Sequence, residues 1–348
     1  MTYHSVFRLV LAGSALGAAL ALAACGASGT SSPASVLPQG ARDGHNQAKR
    51  LSQCPCLYVV NRTFRGSGTP SVTVYPASAA KDARPIESIS GAATELESPW
   101  GVALDSSNNL YVTSTGSNSV NIYPAWNFGN VAPLATIAGP NTAFDEPAGI
   151  ALDANNNIYV GNYSNSTVAV FPSGSSGNVS PSQLIAGSNT GLNFPEGIAV
   201  DADGDIFVAN SKSNSITVYA AGATGNASPM RQISGSATGL NLPTGVALDG
   251  DGNIYVANYA ATSIAPSVEV FAAGSNGNVS PVATISGKKT KLDDPYGVAL
   301  DASGNLHVAN DETSTVAAFA SGTHGDAKPT LLKGKKTGLD YPLGIFIR

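Results

Sequence analysis

The chain has 348 residues, of which 43% are hydrophobic and 12% charged, with 38 glycines, 21 prolines and a formal net charge of −5. Such a composition, without any long apolar pattern of helical period, excludes a helical bundle and argues for an all-β body. Beyond residue 50 the chain carries 14 basic against 22 acidic residues, which gives no support to a nucleic-acid partner.

At the N-terminus a short start with one charge, Arg8, precedes the apolar run "LVLAGSALGAALALAA" and the sequence Leu22-Ala23-Ala24-Cys25. The run is short and rich in small residues, so it reads as a processing signal rather than a membrane span. Its ending resembles the lipobox of bacterial lipoprotein precursors, which implies a signal peptide over 1–24, lipidation of Cys25 and export to the cell envelope. The outer face of the cytoplasmic membrane, the periplasm and the cell surface are all open at this point. Residues 25–53 are rich in Gly, Ser, Ala and Pro without apolar periodicity and are expected to form a flexible tether. Cys54 and Cys56 follow in "CPC", a spacing that would strain a disulfide, and are expected to be structural or incidental.

From residue 54 the sequence repeats. Pro-x-Gly followed by an apolar strand begins at Pro99, Pro147, Pro195, Pro243, Pro295 and Pro342, at intervals of 48, 48, 48, 52 and 47 residues. Each repeat adds a near-continuous apolar strand ("NIYVGN", "DIFVAN"), an alternating strand ("STVAVFP", "NSITVYA") and a short last one ("QLIAG", "RQISG"). Four antiparallel strands per radial repeat describe a blade of a β-propeller. The last first-strand, "PLGIFIR", has no successor, while "CLYVVN", "PSVTVYP" and "IESISG" near residue 57 have no first strand before them. The C-terminal strand is therefore expected to complete the N-terminal blade of a six-bladed ring, leaving no free edge.

The residues Pro-x-Gly-(Val/Ile)-Ala-(Leu/Val)-Asp, then Asn-(Ile/Leu)-Tyr-Val-Ala-Asn, resemble the NHL repeat over about residues 57–348. The resemblance implies the six-bladed fold but not one activity, because propellers of this type include sensor domains, protein- and RNA-binding platforms and a few enzymes.

"LDGDGN" around Asp249 and Asp251 has alternating oxygens, as in a calcium loop. Asp105, Asp153, Asp201, Asp249 and Asp301 recur in every complete repeat, whereas the second acid occurs only at Asp203 and Asp251. The twelfth position, a glutamate in such loops, holds Lys212 and Ala260. The stretch is thus expected to be a hairpin turn closed by aspartate–backbone hydrogen bonds. Asn61, Asn162, Asn210, Asn258 and Asn310 end the second strands, and a residue needed by nearly every blade is expected to serve the scaffold.

Function should lie where the repeats diverge. The x of Pro-x-Gly is Trp100, Ala148, Glu196, Thr244, Tyr296 and Leu343 in turn, and it faces the channel at the top of the ring. The only two long insertions, "RTFRGSG" from Arg62 and "YAATSIAPS" from Tyr259, lie on the same face. Trp100, Glu196, Thr244, Tyr296, Arg62 and Tyr259 are therefore the candidate ligand-binding residues, for a peptide, glycan or small molecule. Lys288, Lys289, Lys291, Lys335 and Lys336 form a basic sector at the rim, expected to be a solvated surface. His307 and His324 cannot build a three-histidine zinc site, and neither lies at the mouth to serve a catalytic triad. No catalytic residue and no cofactor are expected, and the chain is expected to act as a monomer without enzymatic turnover. Two alternatives remain open at this stage. One is a resemblance to calcium-dependent lactonases and gluconolactonases, which implies calcium held by Glu196, Asn210 and Asn258. The other is a purely structural envelope scaffold.

Overall fold

A computed structural model describes residues 55–63, 68–259 and 265–348. They fall within one compact unit, Asp43–Arg348. The expected signal peptide, Cys25, the expected tether, Cys54 and the tips of both insertions lie outside the described residues.

The described chain forms six four-stranded antiparallel sheets. Blade 1 takes its innermost strand from the C-terminus (Pro342–Ile347), followed outward by Cys56–Asn61, Ser71–Pro76 and Glu87–Ser90. Leu57 pairs with Ile347, Tyr58 with Phe346 and Val59 with Ile345. Blades 2 to 6 begin with the strands Pro99–Leu104, Pro147–Leu152, Pro195–Val200, Pro243–Leu248 and Pro295–Leu300, and each continues outward in sequence order. The expected architecture and its split closing blade are both present. No α-helix occurs among the described residues.

Each second strand is buried along almost its whole length, and Val112, Val160, Val208, Val256 and Val308 are all fully buried. This explains its unbroken apolar sequence, because it packs on a neighbouring blade on each side. The core lies between blades: Tyr111, Val120 and Ile137 of blade 2 pack with Ile150, Val160 and Phe171 of blade 3. The buried Ile89, Ile137, Ile185, Ile233 and Ile285 on the last strands also bridge through their backbone to Gly129, Gly177, Gly225, Gly277 and Gly325 of the following blade. At the ring's seam Lys81 bridges to Leu332 instead.

The Pro-x-Gly motif is a bulge. Pro147 pairs with Asn162 and Ile150 with Val160, so two residues of the inner strand stand outside the ladder, and the same shift occurs in all six blades. The bulge turns the x residue toward the channel mouth. Its glycine is required by close approach. A Cβ on Gly101 would stand 2.6 Å from the Ala148 carbonyl oxygen, and Gly149, Gly197, Gly245, Gly297 and Gly344 each meet the x carbonyl of the next blade in the same way.

The turn after each inner strand is the expected hairpin. Asp249 Oδ1 accepts the backbone N–H of Asp251 (3.0 Å) and Asn253 (2.8 Å), and its Oδ2 accepts the Asn253 side-chain amide. Asp105, Asp153, Asp201 and Asp301 repeat the two backbone bonds. The terminal asparagines hold the interblade loops. Asn210 and Asn258 Oδ1 each accept a backbone N–H at 3.0 Å, from Asn193 and Asn241 respectively.

Candidate binding site at the channel mouth

One backbone hydrogen bond builds the top face six times. The residue after each second strand donates its N–H to the carbonyl of the residue before each Pro-x-Gly proline. The pairs are Arg62 to Tyr341, Thr115 to Ser98, Tyr163 to Glu146, Ser211 to Phe194, Tyr259 to Leu242 and Asp311 to Asp294, at 3.0 to 3.3 Å. The six acceptor residues have φ between 47° and 54°, a left-handed conformation that side-chain-bearing residues seldom adopt. It draws the chain inward over the bulge. Three rings of side chains are thereby stacked at the mouth: the x residues, those after the second strands and those before the prolines.

Aromatic residues from all three rings meet. Trp100 and Tyr296 are x residues, Tyr163 and Tyr259 follow second strands, and Phe194 precedes a proline. Their centroids run Phe194–Tyr163 at 4.7 Å, Tyr163–Trp100 at 6.2 Å, Trp100–Tyr296 at 5.5 Å and Tyr296–Tyr259 at 5.6 Å. Three of these contacts are edge-to-face, a favourable arrangement for aromatic quadrupoles.

Glu196 stands within this arc. It lines both a cavity of about 390 Å³, shared with Tyr163, Phe194, Ser211, Tyr259 and Tyr296, and a narrower one of about 80 Å³ at the neck of the channel. Below the neck the channel continues as an apolar cavity of about 280 Å³ walled by inner-strand Val, Ile and Leu side chains. The Glu196 side chain is buried and its Oε2 has no hydrogen-bond partner. Burial pushes its pKa up to about 7, while hydrogen bonding to Ser211 and Tyr296 and the Arg62 charge pull the other way. Tyr296 is in turn raised well above the ordinary tyrosine value, by burial first and then by the Glu196 charge.

The remaining candidates divide. Arg62 lies over Trp100, 5.6 Å from the ring centroid, and pairs with Asp311 at 3.7 Å. Thr244 lines the cavity, but its hydroxyl is within 3.0 Å of the Pro295 carbonyl and 3.1 Å of the Tyr296 carbonyl. Tyr259 hydrogen-bonds Asp294 and is pushed up to about 12 by burial and that carboxylate. Asn210 and Asn258 do not line the mouth, since their amides are held in the interblade loops. Calcium usually takes six to eight oxygen ligands with several carboxylates among them, and a single raised carboxyl beside aromatic rings does not fit it. His307 is buried away from the mouth with Nε2 3.8 Å from Asp301 Oδ2, and in blades 2 and 3 Tyr111 and Tyr159 reach their own turn aspartates from the equivalent position.

The sequence reading did not identify Tyr163, Phe194, Ser211, Lys212 or Asp311. The signal was available one residue past each terminal asparagine, where the repeats read Arg, Thr, Tyr, Ser, Tyr and Asp. That position holds five residue types in six blades, against six at the x of Pro-x-Gly.

The NHL repeat family matches residues 144–171 and 192–219. No curated protein sequence matches the chain. Among solved structures, a protein of unknown function from Bacteroides caccae superposes with a TM-score of 0.57 at 14% identity, over 84% of this chain and 98% of that one. A putative 6-phosphogluconolactonase from Bacteroides fragilis gives 0.54 at 15% identity, over 85% and 99%. A streptogramin B lyase gives 0.52 at 11% identity, over 83% and 91%. Likeness at these identities establishes a shared propeller fold.

Proposed function

We propose that the protein is an exported platform, anchored in the bacterial envelope by a lipid on Cys25, that binds a peptide, glycan or small molecule at the channel mouth without turning it over. The observation that carries this reading is a contrast within one ring. Where Ala148, Thr244 and Leu343 stand in sister blades, the same bulge in blade 4 holds a buried carboxyl that lines the cavities bordered by five aromatic rings. A buried carboxylate lacking a full set of partners is costly to the fold, so its presence in a position that accepts alanine argues for use by a ligand. Aromatic walls with few polar groups are the usual make-up of such a site.

The non-catalytic part of the proposal rests on the inventory of groups. Acid–base or nucleophilic chemistry generally pairs two groups with complementary roles, and the cavity offers Glu196 with hydroxyls and Lys212 but neither a histidine nor a second carboxylate among its described lining residues. The test is a ligand screen against the full chain, repeated with Trp100→Ala and Glu196→Gln. A bound compound recovered unchanged, and weakened by either substitution, upholds the reading. Turnover of the compound would overturn the non-catalytic claim. Affinity indifferent to both substitutions would move the site to the Lys288–Lys291 sector or the opposite face.

A further inference from the structure

A buried acceptor requires a donor, and a buried charge requires an opposite charge. Glu196 is 7% exposed, its Oε2 has no hydrogen-bond donor, and no ion pair reaches the carboxyl among the described residues, so only the Arg62 charge acts on it from a distance. Among the described residues, the two cations nearby make closer contacts elsewhere. Arg62 pairs with Asp311 and lies over Trp100. Lys212 is exposed, with its Nζ 4.5 Å from the Phe194 centroid, and no ion pair joins it to Glu196 among the described residues. Glu196 is therefore the one acidic side chain among the cavity's described lining residues, and no ion pair neutralises it.

Resting on the reading of the mouth as a binding site, we propose that its ligand is an organic primary ammonium, donating an N–H to the Glu196 carboxylate and held against the arc of Trp100, Tyr163, Phe194, Tyr296 and Tyr259. A neutral hydroxyl could satisfy the acceptor but would bring no opposite charge to a buried carboxylate. An anionic group would add repulsion. An ammonium does both tasks, because a charge-assisted hydrogen bond is stronger than a neutral one and aromatic faces attract cations most when water is excluded. The protein supplies its own precedent, since the Lys212 ammonium already rests on Phe194 at one end of the arc. A cavity of about 390 Å³ leaves room for an apolar group beside the ammonium. The groups acting on the carboxyl are Ser211 from its own blade, Tyr296 from blade 6 and Arg62 from blade 1, while Tyr163 from blade 3 feels its charge.

Calorimetric titration of the full chain at pH 8 with benzylammonium, benzyl alcohol and benzoate tests the proposal. Benzylammonium should bind at least about tenfold more tightly than benzyl alcohol, a gap of one decade in Kd, and benzoate most weakly. Glu196→Gln should abolish the gap, whereas Asp203→Asn, which removes an exposed carboxylate in the hairpin turn of the same blade, should preserve it. Below pH 7 the benzylammonium affinity should fall by about tenfold per unit as Glu196 takes up its proton. Equal binding of alcohol and ammonium, or a gap that survives Glu196→Gln, would overturn the ammonium assignment. So would the absence of any benzylammonium binding. In each of these cases a neutral or anionic compound weakened by Trp100→Ala would still uphold the mouth as a binding site, so the two readings fail separately.

Discussion

Gly344 and Trp100 meet where the two ends of the ring join: the glycine of the C-terminal strand lies against the Trp100 carbonyl oxygen so closely that a Cβ there would collide with it. The same approach recurs at the other five junctions, so the neck of the channel is a closed circle of glycine-to-carbonyl contacts. Gly197→Ala should push Thr244 outward and cost about 1–3 kcal/mol, as overpacking of a close contact does. Gly250 has no neighbour within 4 Å of its Cβ position, and Gly250→Ala is the matched control, expected to be near neutral. Urea titration of both variants checks the difference.

Deleting Pro342–Arg348 removes the innermost strand of blade 1, with Leu343 and Ile345 from the buried interior, and exposes the edge at Cys56–Asn61. Losing two or three buried apolar side chains costs about 4–8 kcal/mol, comparable to the whole stability of a domain. The truncated protein should fail to show a cooperative thermal transition. A melting temperature within a few degrees of the intact chain would contradict closure through this strand.

Glu196 should make the protein less stable as pH rises. Its folded pKa of about 7 exceeds the ordinary value of 4.5. Below the ordinary value the carboxyl is protonated in both states. Above it the unfolded chain releases the proton first, and stability is lost until pH passes the folded value, by about 3 kcal/mol in total. Asp311, pushed up to about 6 by burial against the pull of Arg62, acts in the same direction. Glu196→Gln should therefore raise the melting temperature at pH 8 by several degrees and leave it nearly unchanged at pH 4, as read by calorimetry at the two pH values.

Trp100 touches Tyr163 and Tyr296 and lies under Arg62. An aromatic anchor at the centre of an interface commonly contributes about 2 kcal/mol or more, so Trp100→Ala should weaken a mouth-bound ligand about 30-fold. Trp100 is only half-buried, so the melting temperature should change little.

Cys25→Ser should abolish lipid attachment and leave uncleaved precursor or soluble product in cell fractions. Unchanged membrane partitioning of that variant would remove the lipid anchor from the proposal.

Much of the fold was legible because each blade repeats its own chemistry. Asp249 and its four equivalents recur because every hairpin needs the same acceptor, and the Pro-x-Gly spacing marks every bulge. The site was legible only where divergence could be aligned to that motif, as at Trp100, Glu196 and Tyr296. Tyr163 and Phe194 escaped because their meeting depends on the hydrogen bonds that fold the second-strand ends over the prolines, such as Tyr163 to Glu146 and Ser211 to Phe194. Those contacts span 17 residues and carry no signature of their own in the side chains they join. The loss of the terminal asparagine at Ser114 is offset elsewhere in its blade, where the Asn121 amide donates to the Glu95 carbonyl at 2.8 Å. Pattern alone marks the substitution without revealing its replacement.

The backbone bond shared by all six blades at the mouth separates frame from content. Because the N–H and carbonyl that make it belong to the main chain, the side chain at its donor end is free to change without altering the loop's path, while the acceptor end is limited to residues that tolerate a left-handed φ. Arginine, threonine, tyrosine, serine and aspartate all occupy the donor position today. A library confined to the donor positions would therefore vary the surface of the mouth by point substitution while keeping the same neck.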